Sequence, residues 1–309
     1  DPKIKTGYRP GNQFVCRGVT PWADVAAVPE GLCASRLFMG TTDARLIALD
    51  AATGQPCLGF GMDGEVRIDP GMELQWPGEF QITSPPSVAN GVVVVGSSIS
   101  DNRRVNAPKG TVRAFDVRTG KPVWDFDPVV QGAKDHPESW PRGGVAERTG
   151  HANVWAPIAA DEARGLFFLP TSSPSPDFFG GMRAGDNRYA NSVVAIEAAS
   201  GKVHWHFQTV HHDVWDYDLP AQPSLVTLQR DGKQVDAVVQ VTKQGFVFVL
   251  DRDTGEPIFE VEERPVPQDG AAGEFLDERD PFGEVAARHR LGLVHGQHHL
   301  RADPAHGGP

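Results

Sequence analysis

Four apolar stretches of strand length recur along this chain, RLIAL (45–49), TVRAF (111–115), SVVAI (192–196) and FVFVL (246–250). Each runs into the same kind of turn: DAATG at Asp50–Gly54, DVRTG at Asp116–Gly120, EAASG at Glu197–Gly201 and DRDTG at Asp251–Gly255. A leading carboxylate and a Thr or Ser three residues on bond to the turn backbone, and the closing Gly takes a left-handed conformation that other residues resist. Each copy therefore predicts a hairpin with a further strand after it. One hairpin repeated with other strands between its copies points to an all-β propeller, because a sandwich has no need of one turn four times. The irregular spacing of the copies predicts long inserted loops at 127–150 and 171–191, lengths that in a compact domain usually carry function.

Between the first two turns, VVVV (92–95) reads as a fully buried strand that ends in Ser97, Ser98, Ser100, Asp101 and Asn102, oxygens able to hold a hard cation. Lys202 to Val210 alternates as a half-buried strand. It then breaks into His211, His212, Asp213, Val214, Trp215, Asp216, Tyr217 and Asp218, which puts three carboxylates and two large aromatics in eight residues. Burial and like-charge neighbours raise a carboxylate's pKa, and an aromatic face accepts a flat ring, so this run is the candidate site. The plain alternative is a solvated acidic turn. Trp155 reads by itself as core, Arg17 as a loop-bracing charge and Lys243, between two apolar strands, as a solvated cation.

Composition narrows the choices. The 309 residues carry a net charge of −11, which disfavours nucleic acid and acidic membrane surfaces as partners. No apolar run reaches the roughly 20 residues that cross a bilayer, so no transmembrane segment is expected. The 34 glycines and 26 prolines suit a turn-rich β protein. Three cysteines, Cys16, Cys33 and Cys57, lack metal-site spacing. Buried free thiols are expected, with a Cys16–Cys33 bridge as the alternative in an oxidising compartment. After about Pro265 strand alternation stops, so residues 1–265 are read as a propeller domain and 266–309 as an irregular, poorly ordered tail. That tail holds five of the eleven histidines, among them HGQHH (295–299).

Together the segments CRGVTPWAD (16–24), VVVVGSSISDN (92–102), GTVRAFDVRTGKPVW (110–124), GHANVWAPI (150–158), LPTSSPSPDFFGG (169–181), QTVHHDVWDYDLPAQP (208–223) and KQGFVFVLDRDTG (243–255) resemble the PQQ-dependent quinoprotein dehydrogenases of the glucose dehydrogenase type. The resemblance implies an eight-bladed propeller, of which this chain carries about half the blades. It further implies pyrroloquinoline quinone (PQQ) lying flat in a funnel and a Ca2+ or Mg2+ ion beside it. Asp216 is then similar to the catalytic base, and Lys243 to the cation that partners the quinone. Trp155, Arg17, Ser175 and Trp215 match cofactor-contacting positions, and Asp101, Asn102 and Asp216 the metal's neighbours. Asp213 is the rival base. The histidine that many members place four residues before the arginine is Gln13 here.

The activity that this resemblance implies is oxidation of glucose or a related aldose to its lactone, with electrons passed to ubiquinone or another acceptor at the periplasmic side of the inner membrane. Quinate, another polyol or a simple alcohol is the alternative substrate. A non-catalytic propeller scaffold or inactive fragment is the reading from another class, and it has no use for HHDVWDYD followed by Lys243.

Overall fold

The computed structural model describes residues 7–11, 13–27, 31–101, 103–141, 145–263, 265, 268–274 and 276. Its strands build four successive antiparallel sheets, the blades of a β-propeller. The first holds β1 (Thr20–Ala23), β2 (Ser35–Gly40), β3 (Arg45–Asp50) and β4 (Glu65–Arg67). After the short β5 (Phe80–Gln81), the second blade holds β6 (Ser87–Ala89) and β7 (Val92–Val95). The chain then passes through β8 (Ser98–Ile99), which pairs back onto β5, and completes the blade with β9 (Val112–Asp116) and β10 (Pro122–Phe126). The third blade follows as β11 (Ala159–Asp161), β12 (Leu166–Pro170), β13 (Ser192–Glu197) and β14 (Val203–Gln208). The fourth shows three strands, β15 (Ser224–Arg230), β16 (Lys233–Val241) and β17 (Val247–Asp251).

Period-two alternation ties the blades together, because successive side chains of a strand face opposite sides of the sheet. Val93 and Val95 enter one core with Phe38, Leu46 and Phe60 of the first blade. Val92 and Val94, on the other face of β7, join Phe167, Leu169, Val194 and Ile196 of the third. Phe168, Val193 and Ala195 of the third blade then pack with Val238, Phe248 and Leu250 of the fourth. These strands are apolar on both faces because each is sandwiched between neighbouring blades.

The repeated turns form as their sequence predicts. Asp50 Oδ1 accepts from the Ala52 and Thr53 amides and the Thr53 hydroxyl, and Asp116 and Asp251 do the same in their turns. Gly54, Gly120, Gly201 and Gly255 all have φ near +70°, at 71°, 69°, 70° and 74°. The repeat has a second use. Trp124 of the second blade donates its Nε1–H to Ala198 O at 2.8 Å in the third blade's turn, and Trp205 of the third donates to Arg252 O at 3.0 Å in the fourth's. A Cβ on Gly201 would lie 2.7 Å from the Trp124 ring, and one on Gly255 2.5 Å from Trp205. Glycine at these turns therefore serves both the left-handed backbone and the tryptophan packed on it.

Several expectations need correction. The turn leads into a paired strand at β9–β10 and β13–β14, but after Asp50 and Asp251 only isolated bridges form, at Pro56 and Pro257. The 127–150 insertion contains α1 (Pro128–Asp135) and α2 (Val145–Arg148). The first is started by Asp127, whose carboxylate caps the Val129 and Val130 amides at 3.0 and 3.1 Å with Pro128 in the opening turn. The cysteines pair as Cys33–Cys57, with Cα atoms 5.8 Å apart, and Cys16 is an exposed thiol. Neither the all-thiol expectation nor the Cys16–Cys33 alternative holds: β2 and β3 pair as neighbours and bring together the segments that precede and follow them. Residues 277–309, with HGQHH and most of the tail assigned as poorly ordered, lie outside the described residues, as does Asn102.

Candidate active site

Antiparallel alternation sorts the links of every blade to two ends. The repeated turns all follow the third strand of a blade and so lie at one end. Segments that enter a first strand, and links between second and third strands, lie at the other. Every candidate residue comes from that second set. Arg17 precedes β1, Asp101 lies between β7 and β9, and Trp155 precedes β11. Ser175 lies between β12 and β13, Asp213 to Asp218 precede β15, and Lys243 joins β16 to β17.

Asp216 and Lys243 meet. The Lys243 ammonium donates to Asp216 O at 2.8 Å and lies 3.2 Å from Asp216 Oδ2. Its third contact is Asp218 Oδ2 at 3.0 Å, which also accepts the Trp155 indole N–H at 2.9 Å. The other oxygen of Asp218 takes the Ser173 amide at 2.8 Å. Asp218 thus bridges the lysine, the tryptophan and the third blade's β12–β13 link. Its carboxylate stands two residues from Asp216 in the same acidic run, but nothing in the order of residues signals that it reaches Trp155.

Asp213, the rival base, is 1% exposed and occupied. It accepts from the Ser173 hydroxyl, from Asn191 Nδ2 at 3.0 Å, and from the Trp215 and Tyr217 amides at 2.9 and 2.7 Å. Buried Arg183 donates to its carbonyl. Asp213 therefore folds the loop that presents Asp216, whose φ of +59° is a left-handed value that Asp tolerates better than most residues.

Burial pushes the Asp216 carboxyl up to about 7, and the neighbouring negative charge of Asp218 adds to it, while Lys243 pulls the other way. Lys243 is itself raised: burial opposes its charge, but Asp218 and Asp216 outweigh that cost. The result is a carboxylate that changes protonation near neutrality, held against a cation that stays charged.

The other expected residues fall into two groups. Arg17 stacks 5.2 Å over the Trp155 ring, with Nη1 bonded to Thr83 Oγ1 at 2.5 Å. Asp101 lies close enough for its charge to interact with Lys243 and Asp218. Trp215 is 62% exposed, so the burial of Asp216 is the work of other groups. Ser175 is 1% exposed, donates to Val105 O at 2.7 Å and accepts from the Gly150 amide at 2.9 Å. Among the described residues Asp101, His151 and Asp177 are the three acidic or imidazole side chains that converge closely enough to hold a metal ion, and Asp216 is not one of them.

With this geometry in hand, similarity to known proteins is decisive. The profile described as "PQQ: Glucose/ethanol/alcohol dehydrogenase, beta-propeller domain" matches residues 1–306. The chain belongs to that family. Within it, the chain is 39% identical over 303 residues to quinoprotein glucose dehydrogenase A of Acinetobacter calcoaceticus, an alignment covering 92% of this chain and 37% of that one. It is 43% identical over 258 residues to the glycerol dehydrogenase large subunit of Gluconobacter oxydans, covering 82% of this chain and 34% of the relative. Among solved structures, a europium-containing methanol dehydrogenase superposes with a TM-score of 0.63 at 27% identity, covering 85% of this chain and 45% of the other. The chain thus spans little more than a third of the length of the curated relatives it matches. Among the described residues no helix is long and apolar enough to cross a membrane.

Proposed function

We propose that this stretch of PQQ-family propeller carries the proton-abstracting half of a quinoprotein dehydrogenase that oxidises glucose or a related aldose to its lactone. The observation that carries the reading is the Asp216–Lys243–Asp218 constellation, with contacts of 2.8 to 3.2 Å drawn from two links of the fourth blade and pinned to Trp155 of the third. The donor set suits PQQ: Lys243 and Arg17 offer cations to a polyanionic quinone, and Trp155 offers an aromatic face. When bound, PQQ supplies the two-electron acceptor.

The protein's own groups do the rest. Asp216, ionised above about pH 7, accepts the proton of the substrate C–OH as that carbon is oxidised. Lys243 keeps that carboxylate oriented and presents positive charge where negative charge develops. Asp218 holds Lys243 and the Trp155 edge in place, and its negative charge keeps Asp216 basic enough to work. Asp213 and Arg183 hold the loop backbone beneath them. The family likeness would assign a Ca2+ or Mg2+ ion, supplying a Lewis acid, to Asp216, Asp101 and Asn102, the last of which lies outside the described residues.

A second substrate reading, a polyol, is favoured by the 43% identity to a glycerol dehydrogenase large subunit; quinate belongs to the same class. The Cys33–Cys57 disulfide supports an oxidising compartment and hence the periplasm, with ubiquinone or another quinone as the electron acceptor. Residues 1–265 are proposed as the propeller domain and 266–309 as a separate tail.

The test is reconstitution with PQQ and Ca2+, followed by dye reduction with glucose, glycerol and quinate. Quinone binding that is lost in Lys243→Ala, and turnover that is lost in Asp216→Asn while quinone stays bound, are the expected results. Wild-type turnover in Asp216→Asn would remove the proposed base.

A further inference from the structure

Three segments are stitched together at the end of β8. The Arg9 amide donates to Pro77 O at 2.9 Å, the Gly11 amide to Gly78 O at 3.0 Å and the Ser100 amide to Glu79 O at 2.9 Å. A Cβ on Gly11 would lie 2.8 Å from Ser100 Cα, so glycine is what lets the segment ahead of β1 come this close. Arg9, Gln75, Trp76, Ser100 and Arg103 line a cavity of about 440 Å3 among these segments, a volume within the range of small-molecule sites. It flanks the candidate active site, because Ser100 is followed by Asp101, whose charge interacts with those of Lys243 and Asp218.

The polar groups of this cavity are donors left without acceptors. The buried carboxylate of Glu79 is already used: Oε1 takes Arg104 Nε at 2.7 Å and Oε2 the Gln75 amide at 2.8 Å. Arg104 is thereby paired. Its neighbour Arg103 is not, and neither is Arg9: among the described residues neither side chain makes a hydrogen bond or an ion pair. The Trp76 indole N–H and the Ser100 hydroxyl likewise have no partner among the described residues, although Ser100 is only 5% exposed. No Asp or Glu lines the cavity, in a chain whose net charge is −11. A buried hydroxyl without a partner costs about 1–3 kcal/mol, and two guanidinium groups on one recess repel each other. An anion rich in acceptors relieves both.

We propose that this cavity binds a sugar acid, its carboxylate held by Arg9 and Arg103 and its C–H face laid on Trp76. The planar arginine fork matches a carboxylate. The half-buried indole offers an apolar surface that a sugar can cover and inorganic phosphate cannot. Ser100 and Gln75 are placed to bond the sugar's hydroxyls. Such an acid has two sources, and this part of the inference rests on the dehydrogenase reading. A hexuronate is an aldose that already carries a carboxylate, and an aldonate is what an aldose's lactone becomes when water opens it. The binding itself does not depend on that reading.

The test therefore uses the full chain without quinone or added metal, titrated calorimetrically with glucuronate, gluconate, glucose and inorganic phosphate. Expected is one equivalent of a sugar acid, with glucose and phosphate at least about tenfold weaker and with an affinity that falls as NaCl is raised. Tighter glucuronate identifies the substrate's carboxylate, and tighter gluconate a retained product. Arg9→Gln and Arg103→Gln should each weaken the sugar acid about tenfold. Both side chains are exposed, so neither change should disturb folding. PQQ titrated into the same variants should lose far less affinity than the sugar acid does. Binding of neither sugar acid, undiminished binding in both variants, or phosphate binding as tight as the sugar acid overturns the proposal. An equal loss of PQQ would overturn it too, by assigning the two arginines to the quinone.

Discussion

Aspartates at the two ends of these blades have opposite fates. At the turn end, Asp50 takes its hydrogen bonds chiefly from Thr53, with the Cys33 amide adding one, and is held below the usual carboxylate range. Burial works against Asp116, but the Thr119 hydroxyl and amide outweigh it, so it too is lowered. At the site end, burial and Asp218 push Asp216 up to about 7. A carboxylate whose donors lie mostly in its own turn is a fastener. One whose neighbours are another carboxylate and a lysine on a different link is chemically poised.

Substitutions can break that comparison in order of size. With PQQ bound, Asp216→Asn is expected to lower dye-reduction turnover by about 10²–10⁴-fold, with the quinone absorbance retained. The same change should not weaken the fold at pH 8. Asp216 carries a raised pKa, so the folded state loses stability relative to the unfolded chain as pH rises from near 4 through 7, and Asn removes that loss. At the turn end, Trp205→Ala should cost about 3–5 kcal/mol in chemical denaturation, because it uncouples the third blade from the Gly255 turn. Retained stability there would deny that the repeated turns lock the blades.

Asp218→Asn tests whether the site end is a network. Turnover should fall by about tenfold as Lys243 and Trp155 lose their shared acceptor. The pH dependence of kcat/KM, which should rise through about pH 7 in the parent as Asp216 ionises, should shift to lower pH once the neighbouring charge is gone. An unshifted profile would detach Asp218 from the base. The smallest effect belongs to Asp116→Ala, about 1 kcal/mol from lost turn hydrogen bonds, with turnover untouched.

The two ends also differ in how far they can be read from the residues alone. Asp50–Gly54 and its three copies announce their conformation because donor, acceptor and glycine all lie within five residues. The alternation of VVVV and SVVAI announces strands, and their burial on both faces follows from blade stacking. The run 211–218 stands out by its residue types, but Asp216 within it and Lys243 as its partner are singled out only through family likeness, since their contact closes across 27 positions. Ser175 resembles a cofactor contact in sequence, yet its hydroxyl turns out to be spent on Val105 O. His151 and Asp177 sit within the recognised segments GHANVWAPI and LPTSSPSPDFFGG, with no local signal that they pair with each other or with Asp101.

By itself, then, the order of residues determined the strands, the repeated turns and, through them, a propeller, because those choices rest on contacts a few residues apart. The tertiary structure alone decided that Cys33 pairs with Cys57, that Asp213 is buried and bonded within its own loop, and that Lys243 and Trp155 share the Asp218 carboxylate. Antiparallel stacking gathers entry segments and second-to-third links from separate blades at one end, so residues remote along the chain become neighbours there, and their charges set one another's proton affinity.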